Sequence, residues 1–200
     1  MNFLAHLYLS GTPAEIMVGN FIGDYVKGKN YEKYPEYIRL GILLHRKIDT
    51  FTDNNEIAKK TKNRFAPAYH KYAGALTDVI FDHFLAVEWD KYATIPLHDF
   101  IYLAYENLLN NFDLLPERVK NFLPFFVISD WLDSYRTING LTKAFHLMSI
   151  KTSLPRETGF AINEIITNYE DIKKEFNIFF PQLIIHIKHD LSGIETFIKS

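Results

Sequence analysis

Apolar residues recur along this chain at helical spacing. No window of six or more positions alternates cleanly, and no Asn-Gly turn sits between strand-like runs, since Asn139-Gly140 lies between helical patterns. Proline and glycine punctuate the pattern. Thr12-Pro13-Ala14-Glu15 has the form of a capping box, and a helix from about Pro13 to Val26 follows, with Gly28 at its end. Pro35 opens a second helix through Ile38, Ile42, Leu43 and Phe51, and Asp53-Asn54 caps a short basic one from Glu56 to Phe65. Pro67 restarts the chain, and Tyr69 to about Tyr92 reads as one long helix. Pro96, Pro116 and Pro155 introduce further segments, with a break near Asn139-Gly140, and Pro181 interrupts the last stretch. The expected fold class is all-α: one domain over residues 1–200, a bundle of about seven to nine helices.

Polar residues with chemical potential crowd into the first 83 positions, inside helices that are otherwise apolar. Asn20 and Asp24 are four apart; so are His45 and Asp49, with Asp53 four further on; so are Asp78 and Asp82, with His83 adjacent. Positions four apart share a helix face, so each helix aims two polar groups at one point, and helical bundles build metal sites this way. Lone carboxylates beside Phe21, Ile22, Phe81 and Phe84 are costly to bury unless paired or bound to a cation. The bland alternative is that these pairs are surface, capping or ion-pair contacts, with Arg46 pairing to Asp49 or Asp53. His6 and Asn2 interrupt an apolar N-terminal run that should be buried, whereas His70, His98, His146, His186 and His189 read as surface or satisfied-core residues.

Composition narrows the chemistry. The 200 residues carry 22 Lys+Arg against 24 Asp+Glu, a net charge of −2, which argues against a generic nucleic-acid binder. There is no Cys, so there is no disulfide framework, thiolate zinc site or thiol nucleophile, and any metal must take oxygen and imidazole ligands. Basic residues gather at Lys59, Lys60, Lys62 and Arg64, and again at Lys27, Lys29 and Lys33. A positive rim of this kind steers an anionic substrate or acidic partner. No Walker loop, GxGxxG, GxSxG or HExxH occurs. Nothing reads as a signal peptide or membrane span, so a cytoplasmic location is expected.

The segments MNFLAHLYLS, GNFIGDYVKG, GILLHRKIDTFTD and DVIFDHFLAVEW, followed by SDWLDSYRTINGL, resemble the acyl carrier protein phosphodiesterases, or ACP hydrolyases, in order and spacing. The resemblance implies an all-helical protein distantly akin to HD-type metal phosphohydrolases. It implies hydrolysis of the phosphodiester joining 4′-phosphopantetheine to a serine of holo-acyl carrier protein, in fatty acid biosynthesis, with Mn²⁺ as cofactor or Mg²⁺ or Fe²⁺ in its place. The family's motif residues fall here on Asn2, His6, Asp24, His45, Arg46, Asp49, Asp53, Asp78, Asp82 and His83. The expected metal ligands are Asp24, His45, Asp78 and Asp82. His6, Arg46, Asp49 and His83 are the expected catalytic groups, and Asn2, Asn20 and Asp53 complete the site. Lys59, Lys60, Lys62 and Arg64 are the expected contacts to the acidic helix of the carrier protein. The chain departs from HD enzymes in placing Asp82 before His83, and it has Ile150 and Lys151 in LMSIKTSL where family members often carry paired arginines. Two other readings use the same residues: a metal phosphohydrolase acting on a nucleotide or small phosphoester, and a helical binding protein in which the pairs are structural.

Overall fold

Helix boundaries follow the punctuation only in part. The computed structural model describes the backbone of residues 1–198 and the side chains of residues 1–188; His189 lies outside the described side chains. Among the described residues there are no strands and eleven α-helical segments: α1 (Phe3–Tyr8), α2 (Ala14–Ile22), α3 (Glu36–Asn54), α4 (Glu56–Tyr69), α5 (Ala73–Val87), α6 (Leu97–Asn110), α7 (Glu117–Ile128), α8 (Trp131–Ser134), α9 (Ile138–Lys151), α10 (Thr158–Thr167) and α11 (Tyr169–Ile198). Short 3-10 turns occupy Gly23–Tyr25, Asn30–Lys33, His70–Tyr72, Trp89–Lys91 and Phe112–Leu114. The all-α class holds, and the excess over seven to nine helices comes from short segments. The six-residue α1 and four-residue α8 are too short to form without packing partners.

Five expectations are corrected. Thr12 does not cap α2: Pro13 takes the N-cap in extended conformation, with ψ 170°. Asn55, not Asp53-Asn54, caps α4, its side-chain oxygen accepting from the N–H groups of Ile57 (2.9 Å) and Ala58 (3.3 Å). Pro67 sits inside α4, two residues from its end, so it removes one ladder bond and leaves only the last two residues of the helix beyond it. The chain then turns at His70 (φ 48°), so the long helix expected from Tyr69 starts only at Ala73 and ends at Val87. Pro181 likewise lies inside α11, where Phe176, Phe179, Phe180 and Leu183 are all fully buried around it. Burial on both sides of the proline holds the helix through the missing hydrogen bond.

Two contacts position everything that follows. Helices α2 and α3 cross at Gly19 and Gly41. A Cβ on Gly19 would lie 2.0 Å from the carbonyl oxygen of Ile38, and one on Gly41 2.1 Å from that of Ile16. The backbones therefore touch, which brings Asn20 against His45. Helix α1 rests on α5, whose Asp82 accepts from the N–H groups of Leu4 (2.7 Å) and Ala5 (3.2 Å). That carboxylate satisfies free donors at the helix start and faces its positive end. Buried apolar side chains from Met1 to Ile187 form one core.

Candidate metal and active site

Asn20, fully buried in α2, organises the site. Its amide nitrogen donates to the His6 carbonyl (2.7 Å) and to the Ser10 hydroxyl (2.9 Å), which fixes its oxygen toward His6 Nδ1 (2.8 Å). The main-chain oxygen of the same residue lies 2.8 Å from His45 Nδ1. Carbonyl oxygens only accept, so Nδ1 of both rings carries a proton. The two rings stack, with centroids 4.0 Å apart. Gly23 makes room for the second ring, since a Cβ there would meet His45 Cγ at 2.2 Å.

Both Nε2 atoms are thereby left facing acceptors. His6 Nε2 is 3.1 Å from the Met1 carbonyl and 3.2 Å from Asp49 Oδ1. His45 Nε2 is 3.1 Å from Asp49 Oδ2 and 3.4 Å from Asp24 Oδ1, yet makes a well-formed hydrogen bond to neither and is shut off from solvent. Burial, then the neighbouring His45 charge, pulls His6 down to about 4. Burial also pulls on His45, but Asp24 and Asp49 overcome it and lift that imidazole to about 9. The His45 imidazole beside it, 3.4 Å away, holds Asp24 below its usual value against its burial. Burial opposes ionisation of Asp49, but the two imidazoles and the Met1 ammonium outweigh it and hold the carboxyl far below the ordinary range. His6, His45 and Asp49 each place a ligand atom within 4.8 Å of the others. Two imidazole nitrogens and a carboxylate converging on one point, each imidazole with its far nitrogen hydrogen-bonded, are donors that fit a divalent ion. Asp24 adds a fourth group from the open side, its side chain 72% exposed.

The other sequence candidates fall elsewhere. Asp78 pairs with the Met1 ammonium at 2.9 Å. Burial raises this carboxyl, while the ammonium opposes that shift and is itself raised by Asp78 and Asp49 against its own burial. Asp82 has both oxygens committed to α1. Burial pushes it up to about 7, with the ammonium and the two N–H groups pulling the other way. His83 is tied by Nδ1 to the Tyr135 carbonyl (2.6 Å) and by Nε2 to the Tyr169 hydroxyl (2.9 Å). Asn2 donates to the Tyr135 hydroxyl. Arg46 donates to the carbonyls of Val26 (3.0 Å) and Gly28 (2.7 Å) and lies over Tyr31, which braces the loop that follows Asp24. Asp53 is exposed on the last turn of α3. Lys59 pairs with Glu56, and Lys60 and Arg64 pair with the buried Glu175 of α11. Among the described residues only Lys62 of that basic run makes no ion pair. The i, i+4 spacing puts His45 with Asp49 on one face of α3 and Asp78 with Asp82 on one face of α5, but α2 ends at Ile22 and Asp24 lies in the 3-10 turn beyond it, not on the face of Asn20. Helix packing then decided which faces meet.

A family profile described as acyl carrier protein phosphodiesterase matches residues 1–183. The chain belongs to the acyl carrier protein phosphodiesterase family. It is similar to the acyl carrier protein phosphodiesterase of Enterobacter sp. (strain 638), with 28% identity over 190 residues, 94% of this chain and 98% of that one. The protein of the same name from Yersinia enterocolitica serotype O:8 / biotype 1B is 29% identical over 185 residues, covering 92% and 96% of the two chains. That from Escherichia coli O139:H28 is 27% identical over 190 residues, covering 94% and 98%. No solved structure matches the chain at a significant level. No helix among the described residues is long and apolar enough to cross a membrane.

In this family member the open side of the cluster leads past Asp24 into a cavity of about 350 Å³ lined by Asp24, Tyr25, Lys27, Pro116 and Arg118. Arg118 lies over the Tyr25 ring at 5.6 Å, and burial, then the Asp24 charge, pushes the Tyr25 hydroxyl up to about 12. Reading the sequence missed Arg118, Tyr25, Tyr135, Gly23 and the Met1 ammonium. None sits in an i, i+4 pair of acids and imidazoles, and only Gly23 and Tyr25, on either side of Asp24, lay where a local signal pointed.

Proposed function

We propose that the chain is a divalent-metal phosphodiesterase that cleaves 4′-phosphopantetheine from the serine of holo-acyl carrier protein, releasing the apo-protein. The observation that carries this reading is the convergence of His6 Nε2, His45 Nε2 and Asp49 within 4.8 Å, with both Nδ1 protons committed to Asn20. The family match over residues 1–183 supplies the substrate class. His6, His45 and Asp49 would hold Mn²⁺, or Mg²⁺ or Fe²⁺, with Asp24 beside them. When bound, such an ion polarises a phosphoryl oxygen and acidifies a coordinated water. Asn20 keeps both imidazole lone pairs aimed inward. Asp24, ionised and exposed, accepts the proton of the attacking water. Lys27 and Arg118 hold the unesterified phosphate oxygens, Arg118 with a fork of donors. Tyr25, protonated at neutral pH, donates a hydrogen bond from the same wall. The same reading places the reaction in cytoplasmic fatty acid biosynthesis and the bundle among distant relatives of HD-type phosphohydrolases.

The test incubates the protein with holo-acyl carrier protein and Mn²⁺ and follows loss of the phosphopantetheine group by mass spectrometry. Complete conversion to apo-protein is expected, with turnover abolished in Asp24→Ala and Asp49→Asn. Intact holo-protein alongside hydrolysis of a nucleotide or small phosphodiester would transfer the site to the other phosphohydrolase reading. Full turnover in Asp49→Asn would sink the metal site.

A further inference from the structure

A second cavity, of about 400 Å³, adjoins the one beside Asp24 and shares Tyr25 and Arg118 with it as a common wall. Its volume falls within the range of small-molecule sites, about 300–1,000 Å³. Phe3, Phe122, Phe126, Trp131 and Met148 line it, with Arg118 and Lys151 at the rim. The aromatic lining is fixed by its own packing. Tyr25 meets Phe122 at 5.7 Å, Phe3 meets Phe126 at 5.1 Å, and Phe126 stacks on Trp131 at 6.1 Å. The rim cations are held over aromatic lips, Arg118 over Tyr25 at 5.6 Å and Lys151 over Phe125 at 5.7 Å. Phe125, 53% exposed, and Trp131, half-buried, leave the mouth lined by apolar rings open to solvent. Nothing in the cation cluster needs this cavity, and its continuity with the Asp24 cleft puts it one side chain away from the reacting phosphate.

We infer that this aromatic cavity receives the pantetheine arm of the substrate, so that the phosphate sits beside Asp24 while the amide-linked, thiol-ended chain runs past Tyr25 and Arg118 onto Phe122, Trp131 and Met148. The inference rests on the phosphopantetheine reading above for the identity of the ligand. The chemistry of the arm suits the wall. It leaves the phosphate through a branched, apolar carbon centre and continues through flexible methylene units, which the rings cover, and two amides, which the rim's donors meet. Binding energy from this part of the substrate, remote from the scissile bond, also fixes the phosphate's register.

The test is calorimetric titration of the Mn²⁺-loaded full-length protein with free 4′-phosphopantetheine and, separately, with glycerol 3-phosphate, which keeps the phosphate monoester and lacks the arm. The parent should bind 4′-phosphopantetheine about tenfold or more tightly than glycerol 3-phosphate. Met148→Trp, which fills the cavity, should bring the two affinities together. Phe125→Ser, at an exposed position where the fold is insensitive, should narrow the gap and keeps the test valid if the larger substitution misfolds. Equal affinities in the parent, or a gap that both variants leave intact, would overturn the inference. Turnover of holo-acyl carrier protein, measured on the same preparations, separates the two claims. Turnover without an arm-dependent gap removes the pocket alone. A gap without turnover supports the pocket and removes the proposed reaction.

Discussion

Asn20→Ala tests whether one buried amide organises the cluster. The substitution removes three side-chain hydrogen bonds: to His6 Nδ1, to the His6 carbonyl and to Ser10. These losses are unequal. The His6 carbonyl keeps a donor, because the Ser10 hydroxyl reaches it at 2.7 Å. The His6 Nδ1–H keeps nothing, and an unpaired buried donor costs about 1–3 kcal/mol. With about 1 kcal/mol for the Ser10 bond, the total is about 2–4 kcal/mol, against a typical stability of about 5–15 kcal/mol. The variant should therefore fold, with a urea midpoint clearly below that of the parent. His45 keeps its tether, because its partner is the main-chain oxygen of residue 20, which any side chain supplies. Only His6 loses its fixed tautomer. Loss of such an outer hydrogen bond to a metal-bound imidazole lowers metal affinity about 10–100-fold.

Calorimetric Mn²⁺ titration and urea denaturation of the metal-free form read the two effects separately. Asn20→Asp sharpens the test. A carboxylate there accepts from His6 Nδ1 but cannot donate to the His6 carbonyl or Ser10. It draws a proton onto His6, whose imidazole otherwise sits at about 4, and so sets proton against metal. Its Mn²⁺ affinity should fall steeply below neutral pH. An Asn20→Ala protein that binds Mn²⁺ as tightly as the parent would refute the argument.

Four further outcomes are expected. In the metal-free protein His45 is lifted from 6.5 to about 9, so its stabilising contribution is complete below pH 6.5 and lost as pH rises through 9; urea midpoints across that window should decline, and His45→Gln should flatten them. Glu175 is pulled below its ordinary value by Thr61, Arg64 and Lys60 against its burial, so its contribution is present above about pH 4.5 and lost on further acidification; Glu175→Gln should remove that part of the acid transition. Gly23→Ala should displace the His45 ring and weaken Mn²⁺ binding while leaving the far-ultraviolet spectrum intact, and unchanged affinity would show that the contact relaxes. Tyr169→Phe leaves His83 Nε2 without its donor and should cost about 1 kcal/mol with Mn²⁺ binding unchanged; a loss of metal affinity would return His83 to the site.

The sequence made the helical class readable because apolar periodicity is local, and it made the grouping of acids and imidazoles readable because the i, i+4 rule is local too. Where it failed, the deciding energy came from elsewhere in the fold. Pro67 and Pro181 looked like breaks because a proline removes a ladder bond. Pro67 comes so late in α4 that only two helical residues follow it, and four buried side chains hold the helix around Pro181. The basic run at Lys59 to Arg64 looked like a free rim because Glu175, more than a hundred residues away, could not be seen to claim Lys60 and Arg64. Asn20 stood in the pattern as half of an Asn20–Asp24 pair, but its two bonds to imidazoles use an amide oxygen and a main-chain oxygen, and the second carries no residue signature at all.

The fate of Asp78 and Asp82 follows from the length of α1. Six residues cannot hold a helix in water, yet this one must present His6 at a fixed distance from His45 and Asp49. The two acids of α5 meet that requirement. Asp82 takes the free N–H groups of Leu4 and Ala5, and Asp78 takes the Met1 ammonium, so the start of the chain is clamped at two successive turns of one helix. Their four-residue spacing is the repeat needed to grip a short helix end-on, just as it is the repeat needed to bind an ion. Spacing alone cannot tell these uses apart. Partner atoms can: both oxygens of Asp82 and one of Asp78 are taken by N–H donors of the chain's start, whereas Asp49 lies between the Nε2 atoms of His6 and His45. The carboxylates of α5 thus act on the site one step removed, by fixing the helix that carries an imidazole into it.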